Sequence, residues 1–164
     1  MIRKDLFLRY ALPCANTLIE RGETTKDEIE KMKKILQKGE EISNDAIKKF
    51  KVAYAFCKEL GKKLNKNPMD EEVIRKYFWF EHDYLVDLMG ADIDCKVYPA
   101  RIEKIENKKA FVITPIGKME CKIELIKNLK KNDWVTIHRK YVVEKISEKD
   151  AKLLWKIKEM EASR

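Results

Sequence analysis

The chain is poor in glycine, proline, histidine and glutamine: five, four, two and one (Gln37) in 164 residues. The glycines, Gly22, Gly39, Gly61, Gly90 and Gly117, stand singly. They cannot form a phosphate-cradling loop or a Gly-rich linker. No H-E-x-x-H, no G-x-S-x-G and no Asp-rich calcium loop occurs. Those absences argue against a self-contained enzyme. No apolar run approaches the roughly 18 residues of a membrane span. Met1-Ile2-Arg3-Lys4-Asp5 is charged, and Arg9 interrupts the only apolar stretch behind it. No signal peptide is read there, and a cytoplasmic location is expected. Cys14, Cys57, Cys95 and Cys121 make no C-x-x-C pair and no zinc-finger or zinc-ribbon spacing. They are read as reduced thiols.

What is present is apolar bulk and charge. Apolar residues are 45% of the chain, enough for a core and against disorder. Charged residues are 39%, where about 25% is usual. Of 36 basic residues 29 are Lys. A Lys/Glu-rich, Gln-poor balance is a hyperthermophile signal, and an AT-rich genome gives the same bias. The charge is uneven. Residues 1–94 hold 18 basic and 18 acidic residues, a net of zero, whereas residues 95–164 hold 18 and 10, a net of +8. Such asymmetry implies two units with different partners.

The first unit reads as helices. Leu6, Phe7, Tyr10, Leu12 and Leu18 give one helix over 3–20, with a kink or break at Pro13. Thr25-Lys26-Asp27-Glu28 is a capping box opening a second, with Ile29, Met32, Ile35 and Leu36 at helical spacing and Gly39 as its stop. Ser43 or Asn44 caps a third, carrying Ile47, Phe50, Tyr54, Cys57, Leu60 and Leu64. Asp70 caps a fourth with Val73, Ile74, Tyr77, Phe78, Leu85 and Leu88, ended by Gly90. Four helices with short loops predict a small bundle.

At residue 95 the period changes. Val97, Ile102 and Ile105, then Phe111 and Ile113, then Met119, Cys121, Ile123 and Leu125 run as strands do. Asn107-Lys108-Lys109 and Pro115-Ile116-Gly117 read as turns. Trp134–His138 and Tyr141–Ile146 follow, then a helix opening at Ser147, with Ala151, Leu154, Trp155, Ile157 and Met160 available for burial. Five short strands predict a small OB-like or SH3-like barrel. The fold class expected is therefore α+β: an N-terminal helical bundle over 1–92, then a β-barrel with a C-terminal helix over 93–164.

One segment carries chemistry. Cys95-Lys96-Val97-Tyr98-Pro99-Ala100-Arg101-Ile102 has a Cys, three residues, Pro, a small residue, a basic residue and a β-branched one. Gly117 follows in a hairpin, then Leu125-Ile126-Lys127-Asn128-Leu129, Asn132-Asp133-Trp134-Val135-Thr136-Ile137-His138 and Val142-Val143-Glu144-Lys145-Ile146-Ser147. In this order and spacing the segments resemble the HypC/HupF family of [NiFe]-hydrogenase maturation chaperones, over about residues 95–164. The resemblance implies an OB-like barrel with a C-terminal helix and a non-catalytic accessory role. It implies docking on a HypD-like protein or on the immature hydrogenase large subunit. It implies transient handling of iron bearing cyanide and carbon monoxide, held by Cys95 with support from His138. Cys95, Pro99, Arg101 and His138 are then the expected partner-binding residues. A thiolate is a soft ligand for low-spin iron, and imidazole is a second donor or a hydrogen-bond partner.

Other readings stay open. Cys95 also suits a small residue packed at a barrel mouth, and His138 a strand histidine satisfied by a neighbour. Cys95 and His138 as a thiolate–imidazole catalytic pair lack any accompanying substrate cradle. Cys14, Cys57 and Cys121 read as core residues. His82, flanked by Glu81 and Asp83, reads as a polar-face residue of the fourth helix, with a general base or a ligand as the alternative. A nucleic-acid-binding OB module is the second functional reading. Its lysines would track a backbone, and Tyr98, Phe111, Trp134 and Tyr141 would stack bases.

Overall fold

A computed structural model describes residues 1–90 and 93–163. The chain folds as two units, Met1–Ala91 and Asp92–Arg164. Asp92, the expected end of the first unit, and Arg164 lie outside the described residues.

The first unit is helical: α1 (Lys4–Ala11), α2 (Ala15–Glu20), α3 (Lys26–Lys38), α4 (Asn44–Lys48), α5 (Lys51–Leu64), α6 (Glu71–Lys76) and α7 (His82–Met89). Local chemistry sets its ends. Thr25 Oγ1 accepts from Glu28 N at 3.2 Å, Ser43 Oγ from Ala46 N at 3.1 Å and Asp70 Oδ1 from Glu72 N at 3.0 Å. Gly39 and Gly90 close α3 and α7 at φ 68° and 67°, the left-handed region where glycine meets no Cβ penalty.

Three expected helices are interrupted. Pro13 lies in a 3₁₀ turn, Leu12–Cys14, between α1 and α2. The expected third helix breaks at Phe50, whose ring turns edge-on to Phe7. In the fourth, Tyr77–Glu81 forms a π turn between α6 and α7. A π turn inserts one residue, which rotates everything after it by about 100°. Before the turn Val73, Ile74, Tyr77 and Phe78 are buried, as helical spacing requires. Trp79 is buried within the turn, and after it the buried residues are Asp83 and Val86, while Leu88, expected on the apolar face, is 69% exposed. Trp79 Nε1 donates to Tyr10 Oη at 2.7 Å and ties the π turn to α1.

The second unit is a closed barrel: β1 (Val97–Glu106), β2 (Lys109–Thr114), β3 (Gly117–Lys122), β4 (Trp134–His138) and β5 (Tyr141–Lys145), in the order β1-β2-β3-β5-β4. All neighbours are antiparallel except β3 and β5, which meet in parallel at Lys122 and Tyr141. Two-residue turns, Asn107-Lys108 and Arg139-Lys140, have positive φ at both positions, as tight hairpins need. Tyr98, Ala100, Ile102, Ala110, Val112, Cys121, Val135, Ile137 and Val142 fill the interior, and Leu125 is buried on the long β3–β4 connection. In β2 the buried set is Ala110, Val112 and Thr114. Phe111 and Ile113, the larger residues that mark this strand in the sequence, alternate with them and are half-buried. Ile105 is also at the surface, 36% exposed.

The C-terminal helix α8 (Glu148–Ala162) packs on β1 and β4. Ala151, Leu154 and Lys158 are its buried residues, with Trp155 edge-on to Trp134. Met160, expected inside, is 57% exposed. Lys158 takes the inward place because 151, 154 and 158 share one helical face whereas 160 does not.

Cys57 and Cys121 are core thiols, as expected, whereas Cys14, expected with them, is only half-buried. Burial pushes Cys57 and Cys121 up to about 12, with Glu81 adding to the effect on Cys57. An unfolded chain ionises them near 9, so above that pH it releases protons that the fold retains. The stability they confer is complete below pH 9 and falls as pH rises from 9 toward 12. We expect a loss of about 1 kcal/mol per thiol by about pH 10, read as a lower urea midpoint than at about pH 8. The pH dependence should shrink in Cys57→Ala and again when Cys121→Ala is added. An identical pH dependence in the double variant would exclude the thiols as its source.

A second expectation concerns the boundary. The change from helical to strand periodicity at residue 95 predicts limited proteolysis between Leu88 and Asp94, releasing two stable pieces detectable by mass spectrometry. Rapid loss of both halves instead would show that neither persists without the other.

Candidate functional site

The site is built on the first half of β1 and the end of β4. β1 pairs with β4 from Val97↔His138 to Arg101↔Trp134. The register sets the opening of β1 beside the β4–β5 turn. Arg139 N in that turn donates to Asp94 O at 3.1 Å. Cys95 ends a 3₁₀ turn, Ile93–Cys95, just before β1.

Cys95 is buried, and its sulfur is gripped by the same turn. Arg139 donates from Nε at 3.1 Å and from Nη2 at 2.7 Å to Cys95 Sγ. This is a two-pronged guanidinium contact on one sulfur, the geometry that Arg offers and Lys cannot. A cation beside a cysteine favours the thiolate, the form that binds metals. Arg139 is not among the residues expected at the site; its place next to His138 in the chain was the available signal for this contact.

His138 is buried as well. It alternates along β4 with Trp134 and Thr136, on the opposite face from the interior residues Val135 and Ile137. The imidazole is therefore not a barrel-core group. The strand pairing brings Cys95 and His138 to the same end of the barrel.

The other two expected residues diverge. Pro99 is buried in β1 opposite Thr136. Its ring rigidifies the strand. Arg101 is exposed. Its Nη2 donates to Asn132 Oδ1 at 3.2 Å, and its guanidinium lies over the Trp134 ring, 5.7 Å from the centroid. It is a surface group held in place, suited to contact with another molecule.

The aromatic residues named for base stacking do not line one groove. Tyr98 is inside the barrel. Trp134 meets Trp155, Phe111 carries Lys104 at 4.7 Å and Tyr141 carries Lys122 at 5.2 Å. Several lysines also have acidic neighbours: Lys109 with Glu120 at 2.8 Å, Lys104 with Glu106 at 3.2 Å and Lys118 with Glu103 at 3.4 Å. Among the described residues no helix is long and apolar enough to cross a membrane.

A search of curated proteins gives no match to the chain. A family comparison does: residues 95–157, from the cysteine gripped by Arg139 through the barrel and into α8, match the HupF/HypC family.

Proposed function

We propose that the C-terminal unit acts as a HypC-like accessory protein of [NiFe]-hydrogenase maturation, working by docking rather than by catalysis. The family match over residues 95–157 carries the reading. The donor set supports it. Cys95 supplies a sulfur that Arg139 orients, and His138 supplies an imidazole at the same end of the barrel. A soft thiolate with a nitrogen donor suits iron bearing cyanide and carbon monoxide, which in this reading is cargo. Its partner is a HypD-like protein or the immature large subunit, contacted around Cys95, Arg101 and His138, with Pro99 shaping the strand.

The test compares partner capture by the full chain and its variants. Cys95→Ser should abolish the complex while leaving the fold intact, because a hydroxyl has nearly the shape of a thiol but is a poor ligand for iron. His138→Ala should weaken it less. Arg139→Gln should cost about 10-fold or more in affinity, the range typical of groups that orient a ligand. Arg139→Lys should recover only part of this loss, since one ammonium cannot reproduce the fork. Equal capture by wild type and Cys95→Ser would remove the thiol from function. The net charge of +8 in residues 95–164 favours the second reading, a nucleic-acid-binding module. Binding of single-stranded nucleic acid with a steep salt slope, and no captured protein, would decide for it.

A further inference from the structure

The helical unit holds a second thiol–imidazole pair. Cys14 Sγ lies within 4.8 Å of a ring nitrogen of His82. Each residue sits at a break in regular helix: Cys14 ends the 3₁₀ turn after Pro13, and His82 opens α7 after the π turn. The π turn is what rotates His82 off the solvent face. The imidazole side chain is only 12% exposed and lies beside the rings of Tyr77 and Phe78.

A buried carboxylate completes the arrangement. Asp83, 2% exposed, places Oδ1 at 3.3 Å from His82 Nδ1. A carboxylate on one ring nitrogen fixes the tautomer and orientation and makes the other nitrogen the donor, the arrangement typical of metal-ligating histidines. Asp83 falls opposite the apolar face in an uninterrupted helix, so the same π turn brings ligand and orienting group inward together.

We propose that Cys14 and His82 form a metal-binding pair of the helical unit, with Asp83 as the positioning residue, for a borderline or soft transition-metal ion such as Zn²⁺. Thiolate sulfur with imidazole nitrogen is a preferred donor combination for such ions. This pair shares no residue with the Cys95 site and does not rest on the family reading.

The experiment titrates the reduced full chain with Co²⁺ alone, a spectroscopic stand-in for Zn²⁺, and reads the near-ultraviolet sulfur-to-cobalt charge-transfer band. All variants carry Cys95→Ser, so the barrel thiol contributes nothing. The band should appear in Cys95→Ser and vanish when Cys14→Ser is added. His82→Gln, which keeps a group of similar length next to Asp83, should lower Co²⁺ affinity sharply while circular dichroism stays native. Asp83→Asn should weaken Co²⁺ about 10-fold with the sulfur band retained, which a purely structural role would not produce. Absence of the band from Cys95→Ser overturns the proposal. So does its persistence at full strength after Cys14→Ser, or unchanged affinity in His82→Gln.

Discussion

The second unit depends on one strand serving two neighbours. β1 pairs with β4 through its first half and with β2 through its second, and the two sets share Arg101. A straight strand cannot close a five-stranded sheet on itself. The change of register between Ile102 and Lys104 supplies the bend, as a bulge does. Closure then leaves only the short parallel contact between Lys122 and Tyr141 to complete the circle. The site follows from this. Because Val97 must face His138, the residues just before β1 must meet the turn just after β4, and Cys95 meets Arg139.

Burial in this unit is not a synonym for apolarity. Thr136, His138, Glu144 and Lys158 are all buried. Thr136 and His138 lie on the outer face of β4, Thr136 is paired with Glu144, and Lys158 belongs to the buried stripe of α8. A polar group removed from water costs free energy unless partnered, so such residues demand specific neighbours where an apolar contact demands only fit. The interior, by contrast, is almost free of polar groups, and the small residues Ala100, Ala110, Val112, Val135 and Val142 leave room in the narrow bore for Tyr98, Ile102 and Ile137. The two faces of the same strands thus differ, one holding the apolar core and the other the buried polar groups.

The sequence disclosed what local periodicity controls. Caps at Thr25, Ser43 and Asp70, stops at Gly39 and Gly90, the five strands and the Cys95 segment are all visible in it. It concealed what a phase shift controls. Counting by 3.6 from Ile74 leaves Asp83 opposite the apolar face and places Leu88 near it; the π turn at Tyr77–Glu81 reverses both. No spacing rule announces such a turn, although four consecutive aromatic residues, Tyr77 to Phe80, mark the place where side-chain bulk competes with regular backbone. The same limit applies to β2. Phe111 and Ile113 are larger than Ala110 and Val112, yet the smaller pair faces inward, because the bore and not hydrophobicity selects them. Arg139 was hidden for a different reason: a turn residue is read for its backbone, and its side chain acts on a residue 44 positions away.

That backbone supports a functional reading of Arg139. Its φ is 46° and that of Lys140 is 64°, so two bulky L-residues occupy the left-handed region. Asn or Gly fits such a turn with less strain, and a side chain there costs about 1 kcal/mol. At Asn107-Lys108 the first position is the favourable Asn. At Arg139-Lys140 neither is, and yet the turn is tight and the strands pair up to it, His138 with Tyr141. The cost is borne at the one hairpin whose first turn residue reaches a cysteine with two donors. Charge-assisted hydrogen bonds of this kind are the strong ones, and two of them offset a strained φ. Strain thus falls where the turn sets a side chain on Cys95, and is lower at Asn107, where the turn only reverses the chain.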